Sequence, residues 1–181
     1  MTSDRTGSAG GSKIEVLIAE ADLRARVAAL GAQITRDYAG RSLVVVGVLK
    51  GSFVFMADLV RAIDLPISVE FIGISSYEGT TTTGVVKITS DLTRSIEGKD
   101  VLLVEDIVDT GLTMRYLLDN LATRAPASLE VCALLEKPSR ARVTFPLRYR
   151  GFVIGDEFVV GYGLDWDGRM RNLPFVGVPR T

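Results

Sequence analysis

The run Leu43-Val44-Val45-Val46-Gly47-Val48-Leu49 constrains this chain more than any other feature. It is uninterrupted by a polar residue, so it cannot lie on a sheet with one wet face. It is also far shorter than the ~20 residues a membrane-spanning helix needs. A short apolar run bounded by polar residues reads as a strand covered on both faces. Such a strand belongs to a sheet with helices above and below it.

The flanking segments supply those helices. Ala19 to Tyr38 carries Leu23, Val27, Leu30 and Ile34 at four-three-four spacing, the apolar stripe of a helix that ends near Gly40. Lys50-Gly51-Ser52 turns the chain, and Phe53 to Ile63 reads as a second helix, stopped before Pro66. Ile67 to Ile74 is a strand, Ser75 to Gly84 an exposed mobile connection, and Val85 to Thr89 a short strand. Val101 to Val104 is a third apolar strand, followed by an acidic loop. Leu112 to Arg124 is a helix with Met114, Leu117, Leu118 and Leu121 on one face. Leu129 to Leu135 is a further buried strand, with Cys132 as a small core residue. Shorter strands and turns fill Val143 to Val178. Alternating strands and helices predict an α/β fold with a mainly parallel sheet flanked by helices. Residues 1–12 read as a flexible leader without the apolar stretch of a secretory signal, ahead of a single domain over 13–181.

Composition narrows the chemistry. The chain of 181 residues has no histidine and one cysteine. This excludes imidazole bases, Ser-His and Cys-His pairs, zinc knuckles and internal disulfides. Lys and Arg (21) nearly balance Asp and Glu (22), which speaks against a nucleic-acid binder or a membrane-surface protein. The expectation is a reduced, cytoplasmic protein. Catalysis must rest on carboxylates, lysine, arginine, hydroxyls, backbone amides or a hard cation held by oxygen.

The densest concentration of such groups is Val104-Glu105-Asp106-Ile107-Val108-Asp109-Thr110-Gly111-Leu112-Thr113. A buried strand runs into three carboxylates, then Thr-Gly-x-Thr, then a helix. In open α/β sheets ligands bind beyond the carboxyl ends of strands. Unpaired amides and the positive dipole end of a helix opening at Thr110 to Thr113 favour a phosphate. Glu105 and Asp106 would repel one. Acceptor-only carboxylates suit sugar hydroxyls or Mg²⁺. A polyol phosphorylated at one end satisfies both halves. The plainer reading, in which Asp109 or Thr110 caps the helix, accounts for one residue of the group.

This stretch resembles the phosphoribosyl-diphosphate signature of type I phosphoribosyltransferases. Val48-Leu49-Lys50-Gly51-Ser52, Ser75-Ser76-Tyr77, Leu135-Glu136-Lys137-Pro138 and Phe158-Val159-Val160-Gly161-Tyr162-Gly163-Leu164-Asp165 follow in the order of the hypoxanthine-guanine phosphoribosyltransferase family. The likeness spans Ile14 to Val178. It implies the type I fold, with a small hood of short strands. It also implies a transfer of the 5-phosphoribosyl group from phosphoribosyl diphosphate to hypoxanthine or guanine. The products would be IMP or GMP and pyrophosphate, in a Mg²⁺-dependent homodimer or homotetramer.

Roles carry over residue by residue. The resemblance implies that Glu105 and Asp106 hold the ribose hydroxyls and, with Asp165, the metal. Residues Ile107, Val108, Asp109, Thr110, Gly111, Leu112 and Thr113 line the nucleotide, with the Thr110 to Thr113 turn on the 5-phosphate. Asp109 matches the general base for the proton at purine N7, a task suited to a carboxylate in a partly desolvated loop. Lys137 matches the donor to the 6-oxo group, Phe158 the aromatic that stacks on the base, and Val159 a backbone contact at its edge. Asp165 borders the purine. Lys50 and Gly51 match the pyrophosphate loop, where the family has a cis peptide before the lysine, and Arg171 a pyrophosphate contact. Ser76 and Tyr77 resemble the start of a closing lid with its tip at Thr80 to Thr83. Two positions depart from the pattern: Leu112, where some relatives carry lysine, and Asn172, where some carry aspartate. A xanthine-preferring relative, an RNA-binding regulator on this fold, and a silent nucleotide binder are the competing readings.

Overall fold

The computed structural model describes residues 13–77 and 85–180. Six strands form one sheet: β2 (Leu43–Leu49), β3 (Ser68–Tyr77), β4 (Val85–Ser90), β5 (Asp100–Val108), β6 (Ser128–Glu136) and β7 (Tyr149–Val153). Their order is β4-β3-β2-β5-β6-β7, parallel throughout except for β4, which pairs antiparallel with β3. The chain builds outward from β2 on one side and returns to build from β5 on the other. The switch point therefore falls between β2 and β5, where such sheets open a crevice beyond their carboxyl ends.

Strand alternation sorts the apolar residues into two cores. Leu43, Val45, Leu102, Val104, Cys132 and Leu134 pack with α1 (Glu20–Asp37) and α2 (Phe53–Ala62). Val44, Val46, Val101, Leu103, Val131 and Ala133 pack on the other face with Met114, Leu117 and Leu121 of α3 (Leu112–Ala122). The fully apolar β2 is thus explained by cover on both faces. Cys132 is buried, and burial pushes its thiol up, so it behaves as a core residue. Among the described residues no helix is long and apolar enough to cross a membrane.

Three elements depart from the sequence expectation. β5 does not end at Val104; Glu105 and Ile107 pair with Ala133 and Leu135 of β6, so the first two acids stand on a strand and not in a loop. Ladder hydrogen bonds need only backbone, which lets charged residues extend an apolar strand. β3 likewise runs on through Ser75, Ser76 and Tyr77, paired with Lys87, Val86 and Val85. The expected lid tip, Thr80 to Thr83, and the expected leader, 1–12, lie outside the described residues. Finally, β1 (Lys13–Ile18) pairs antiparallel with β8 (Val176–Arg180) in a separate small sheet. Only Ile14 and Ile18 of β1 are buried, four residues apart across a register shift. That bulge erases the period-two signature of a strand.

Candidate functional site

Beyond the switch point, β2 and β5 end side by side. The Leu49–Lys50 peptide is cis. Gly51 lies against Asp106, and a Cβ at position 51 would overlap the Asp106 carboxylate. Only glycine allows this approach, which places the backbone of the Lys50-Gly51 turn within reach of a ligand held by Asp106. Neighbours on a strand point to opposite faces. The Asp106 carboxylate nonetheless stays in hydrogen-bonding contact with Glu105: Asp106 reaches the Lys50-Gly51 turn, while Glu105 lines the cavity on the α3 side. Glu105 is 7% exposed. Burial, reinforced by the charge of Asp106, holds its carboxyl well above the usual carboxylate range.

On the α3 side a cavity of about 200 Å³ is lined by Glu105, Asp109, Thr110, Gly111, Thr113 and neighbouring apolar residues. Gly111 is the helix N-cap at φ +80°, with no side-chain cap. The capping reading of Asp109 and Thr110 therefore gives way: Thr110 Oγ1 accepts from Leu112 N–H only at a long 3.5 Å. The first-turn amides of α3 open toward the cavity end of the strand, the arrangement that binds phosphate. The loop is held from behind, where Arg142 N–H donates to Thr110 O (2.9 Å).

Asp109 sits at the mouth of this loop, 40% exposed in its side chain, and accepts from Arg140 Nε–H at 2.5 Å. The desolvation expected around Asp109 falls instead on Glu105, because Asp109 lies past the end of β5 while Glu105 lies within it.

Lys137, at the carboxyl end of β6, is 7% exposed. Its backbone N–H donates to Val108 O (2.9 Å) and its Nζ donates to Glu157 O (2.7 Å). An ammonium so deeply placed needs a partner, and a carbonyl leaves two of its three donors for others. Next to Glu157, Phe158 is exposed and Val159 is buried. Asp165 Oδ2 accepts from Gly168 N–H (2.7 Å), and its Oδ1 pairs with Arg171 (2.6 Å). Arg171 also donates to Gly163 O (2.6 Å). A Cβ on Gly163 would overlap Gly51 O, so the 161–165 turn rests on the Lys50-Gly51 turn. Tyr162 ties the same turn to α2 by donating to Asp58 (2.5 Å).

The expected metal ligands are not gathered into one cage. Among the described residues no three acidic or sulfur ligands converge on a point. Glu105 and Asp106 lie beside each other, and Asp165 stands on a separate turn with Arg171. The donor set still suits Mg²⁺, a hard cation usually held by one or two carboxylates with water and substrate oxygens. Ser76 and Tyr77 end β3, at the carboxyl edge of the same sheet. A separate cavity of about 570 Å³ lies between α1, α2 and residues 171–174, with Tyr162 and Arg171 in its lining.

Residues 19–167 match the phosphoribosyl transferase domain family. The chain belongs to the phosphoribosyltransferase family. It is 55% identical over 168 residues to the hypoxanthine phosphoribosyltransferase of Haemophilus influenzae, covering 91% of this chain and 94% of that one. It is 49% identical to the hypoxanthine-guanine phosphoribosyltransferase of Staphylococcus aureus, covering 90% and 92%. Among solved structures, a hypoxanthine phosphoribosyltransferase from Staphylococcus aureus superposes with a TM-score of 0.88 at 48% identity, covering 92% and 91%. A hypoxanthine-guanine phosphoribosyltransferase from Bacillus anthracis gives 0.87 at 47%, covering 91% and 97%.

Three groups at this phosphoribosyltransferase site escape a reading of the sequence. Arg140 reaches Asp109 across 31 residues, Asp58 reaches Tyr162 across 104, and Trp166 packs on Phe158 (6.2 Å between centroids). Only Trp166 carries a local signal, as the sole tryptophan directly after Asp165 in a glycine-rich turn.

Proposed function

We propose that this chain is a Mg²⁺-dependent hypoxanthine-guanine phosphoribosyltransferase of purine salvage, acting in the cytoplasm as a homodimer or homotetramer of one-domain subunits. The observation that carries this reading is the approach of Gly51 to Asp106 across the switch point, with the open α3 N-terminus one turn further on and Lys137 at the next strand end. Four binding needs then fall in one crevice: ribose hydroxyls on Glu105 and Asp106, 5-phosphate on Thr110 to Thr113, pyrophosphate on Lys50, Gly51 and Arg171, and base between Lys137 and Phe158.

In the reaction the C1–oxygen bond of phosphoribosyl diphosphate breaks and its electron pair leaves with pyrophosphate. The purine ring nitrogen forms the new bond to C1. Asp109 takes the proton at N7 as charge builds on the base. Lys137 Nζ donates to the 6-oxo group, an interaction adenine cannot offer. Arg171 and the Lys50-Gly51 amides stabilise the departing charge. Asp165, Glu105 and Asp106 are the residues that would hold Mg²⁺, which when bound would supply positive charge to offset the leaving group. Ser76 and Tyr77 begin the segment that would exclude water from the reactive sugar. Val69 and Phe71 of β3 are large, exposed and on one face of the sheet, which supports self-association there.

The test is nucleotide formation from phosphoribosyl diphosphate with hypoxanthine, guanine, xanthine and adenine, with and without Mg²⁺. Metal-dependent turnover of hypoxanthine and guanine with adenine inert is the expected result. Turnover of xanthine alone, or of no base, overturns the assignment.

A further inference from the structure

Two large aromatic side chains beside the site have no part in either buried core. Phe158 is 56% and Trp166 40% exposed, although Val159, Val160 and Leu164 beside them are buried. Their ring centroids lie 6.2 Å apart with planes at 77°, an edge-to-face pair. That geometry leaves at least one face of the Phe158 ring uncovered by Trp166.

The indole is not free to wander. Trp166 and Arg169 exchange backbone hydrogen bonds in both directions, at 3.1 and 3.0 Å. Asp167 and Gly168 between them have φ +50° and +75°, the tight two-residue turn that holds strands in register. Asp165 clamps the turn further by accepting from Gly168 N–H. The exposed part of this ring gains nothing from folding, and among the described residues the aromatic ring it pairs with is Phe158.

We propose that Trp166 is a positioning residue for the purine: its packing fixes the plane of Phe158, against which the base stacks. This rests on the reading of Phe158 as the stacking residue. Trp166 acts on the affinity for the base and on no step of bond making, so it separates the two substrates. Edge-to-face pairing of aromatic rings is strong enough to change affinity by about five- to tenfold.

The experiment measures kinetic constants for hypoxanthine and for phosphoribosyl diphosphate in Trp166→Leu, Trp166→Tyr and Phe158→Leu, with GMP titrated against intrinsic fluorescence. Trp166→Leu is expected to raise the KM for hypoxanthine about five- to tenfold, with kcat and the KM for phosphoribosyl diphosphate within about twofold. Trp166→Tyr, which keeps a ring edge, should recover most of that loss and serves if the leucine variant folds poorly. Because the chain has one tryptophan, GMP should change its emission directly, and Phe158→Leu should weaken the response. Unchanged hypoxanthine KM in Trp166→Leu with a raised value in Phe158→Leu overturns the proposal alone. Unchanged values in both overturn the placement of the purine on Phe158. Equal losses for both substrates make Trp166 a general structural residue and also overturn the proposal.

Discussion

The two ends of the parallel sheet are both crowded with charge, and they handle it in opposite ways. At the amino ends Arg41 is paired bidentately with Asp100, which also accepts from Ser128 (2.5 Å). Arg148 bridges Asp37 and Glu130 at 3.3 Å each, and Tyr149 donates to Asp37 (2.7 Å). Both guanidiniums also lie over the Tyr38 ring, at 5.0 and 5.8 Å. Asp37, Asp100 and Glu130 each have a cation, and only the Tyr38 hydroxyl is left without a partner among the described residues of this cluster. At the carboxyl ends, Glu105 and Asp106 have no salt-bridge partner among the described residues, and one of them is buried beside the other. Acids already paired with cations have little hydrogen-bonding capacity left for a ligand; unpaired ones keep it at a cost in stability. The difference separates the end that holds the sheet together from the end that is kept for binding.

The sharpest way to break this contrast is at Asp109. Asp109→Asn should lower turnover about 10²-fold or more while substrate KM values hold. Steady-state kinetics check it, and a change below about threefold removes Asp109 from the proton transfer. Lys137→Ala comes next. Loss of its hydrogen bond should raise the KM for hypoxanthine by about tenfold or more, with phosphoribosyl diphosphate affected far less. Equal losses would place the ammonium elsewhere.

At the opposite end the effect should fall on stability alone. Arg41→Met leaves the buried Asp100 with only Ser128, at a cost of about 1–2 kcal/mol, discounted because Arg41 itself is 41% exposed. Thermal unfolding should shift down by about 2–8 °C with kcat/KM within twofold. A large kinetic effect would erase the distinction between the ends. The smallest effect should have the reverse sign. Glu105 has a raised pKa in the folded state, so that state holds its proton longer than the unfolded chain does. Stability of the metal-free protein should then fall as pH rises above about 4.5, where unfolded Glu ionises. Glu105→Gln removes that loss. In EDTA at pH 7.5 it should melt about 1–3 °C higher than the parent and with a flatter pH profile, although its activity falls. A lower melting temperature would mean that Glu105 is not an uncompensated charge.

Much of this molecule is readable from local pattern. The bounds of β2 match its apolar run residue for residue, because cover on both faces removes any polar alternation. Helices α1, α2 and α3 begin and end within about two residues of their periodic stretches, for the same reason of one buried stripe. Glu105 and Asp106 were conspicuous because acids rarely follow so apolar a strand. Their place on a strand was less so, since it depends on β6 continuing the ladder past Val104.

What the sequence alone determined is therefore the central strands, the three helices and the cluster of reactive side chains at one strand end. Those depend on neighbours within a turn or two along the chain. Tertiary structure alone decided that Gly51 meets Asp106, that Arg140 pairs with Asp109, that Lys137 leans on Glu157 and that Trp166 packs edge to face on Phe158. Each of those contacts joins residues whose spacing in the chain carries no periodic signal. Strand order and the switch point between β2 and β5 bring the ends together, and a close packing that admits no side chain at Gly51 sets how near they come.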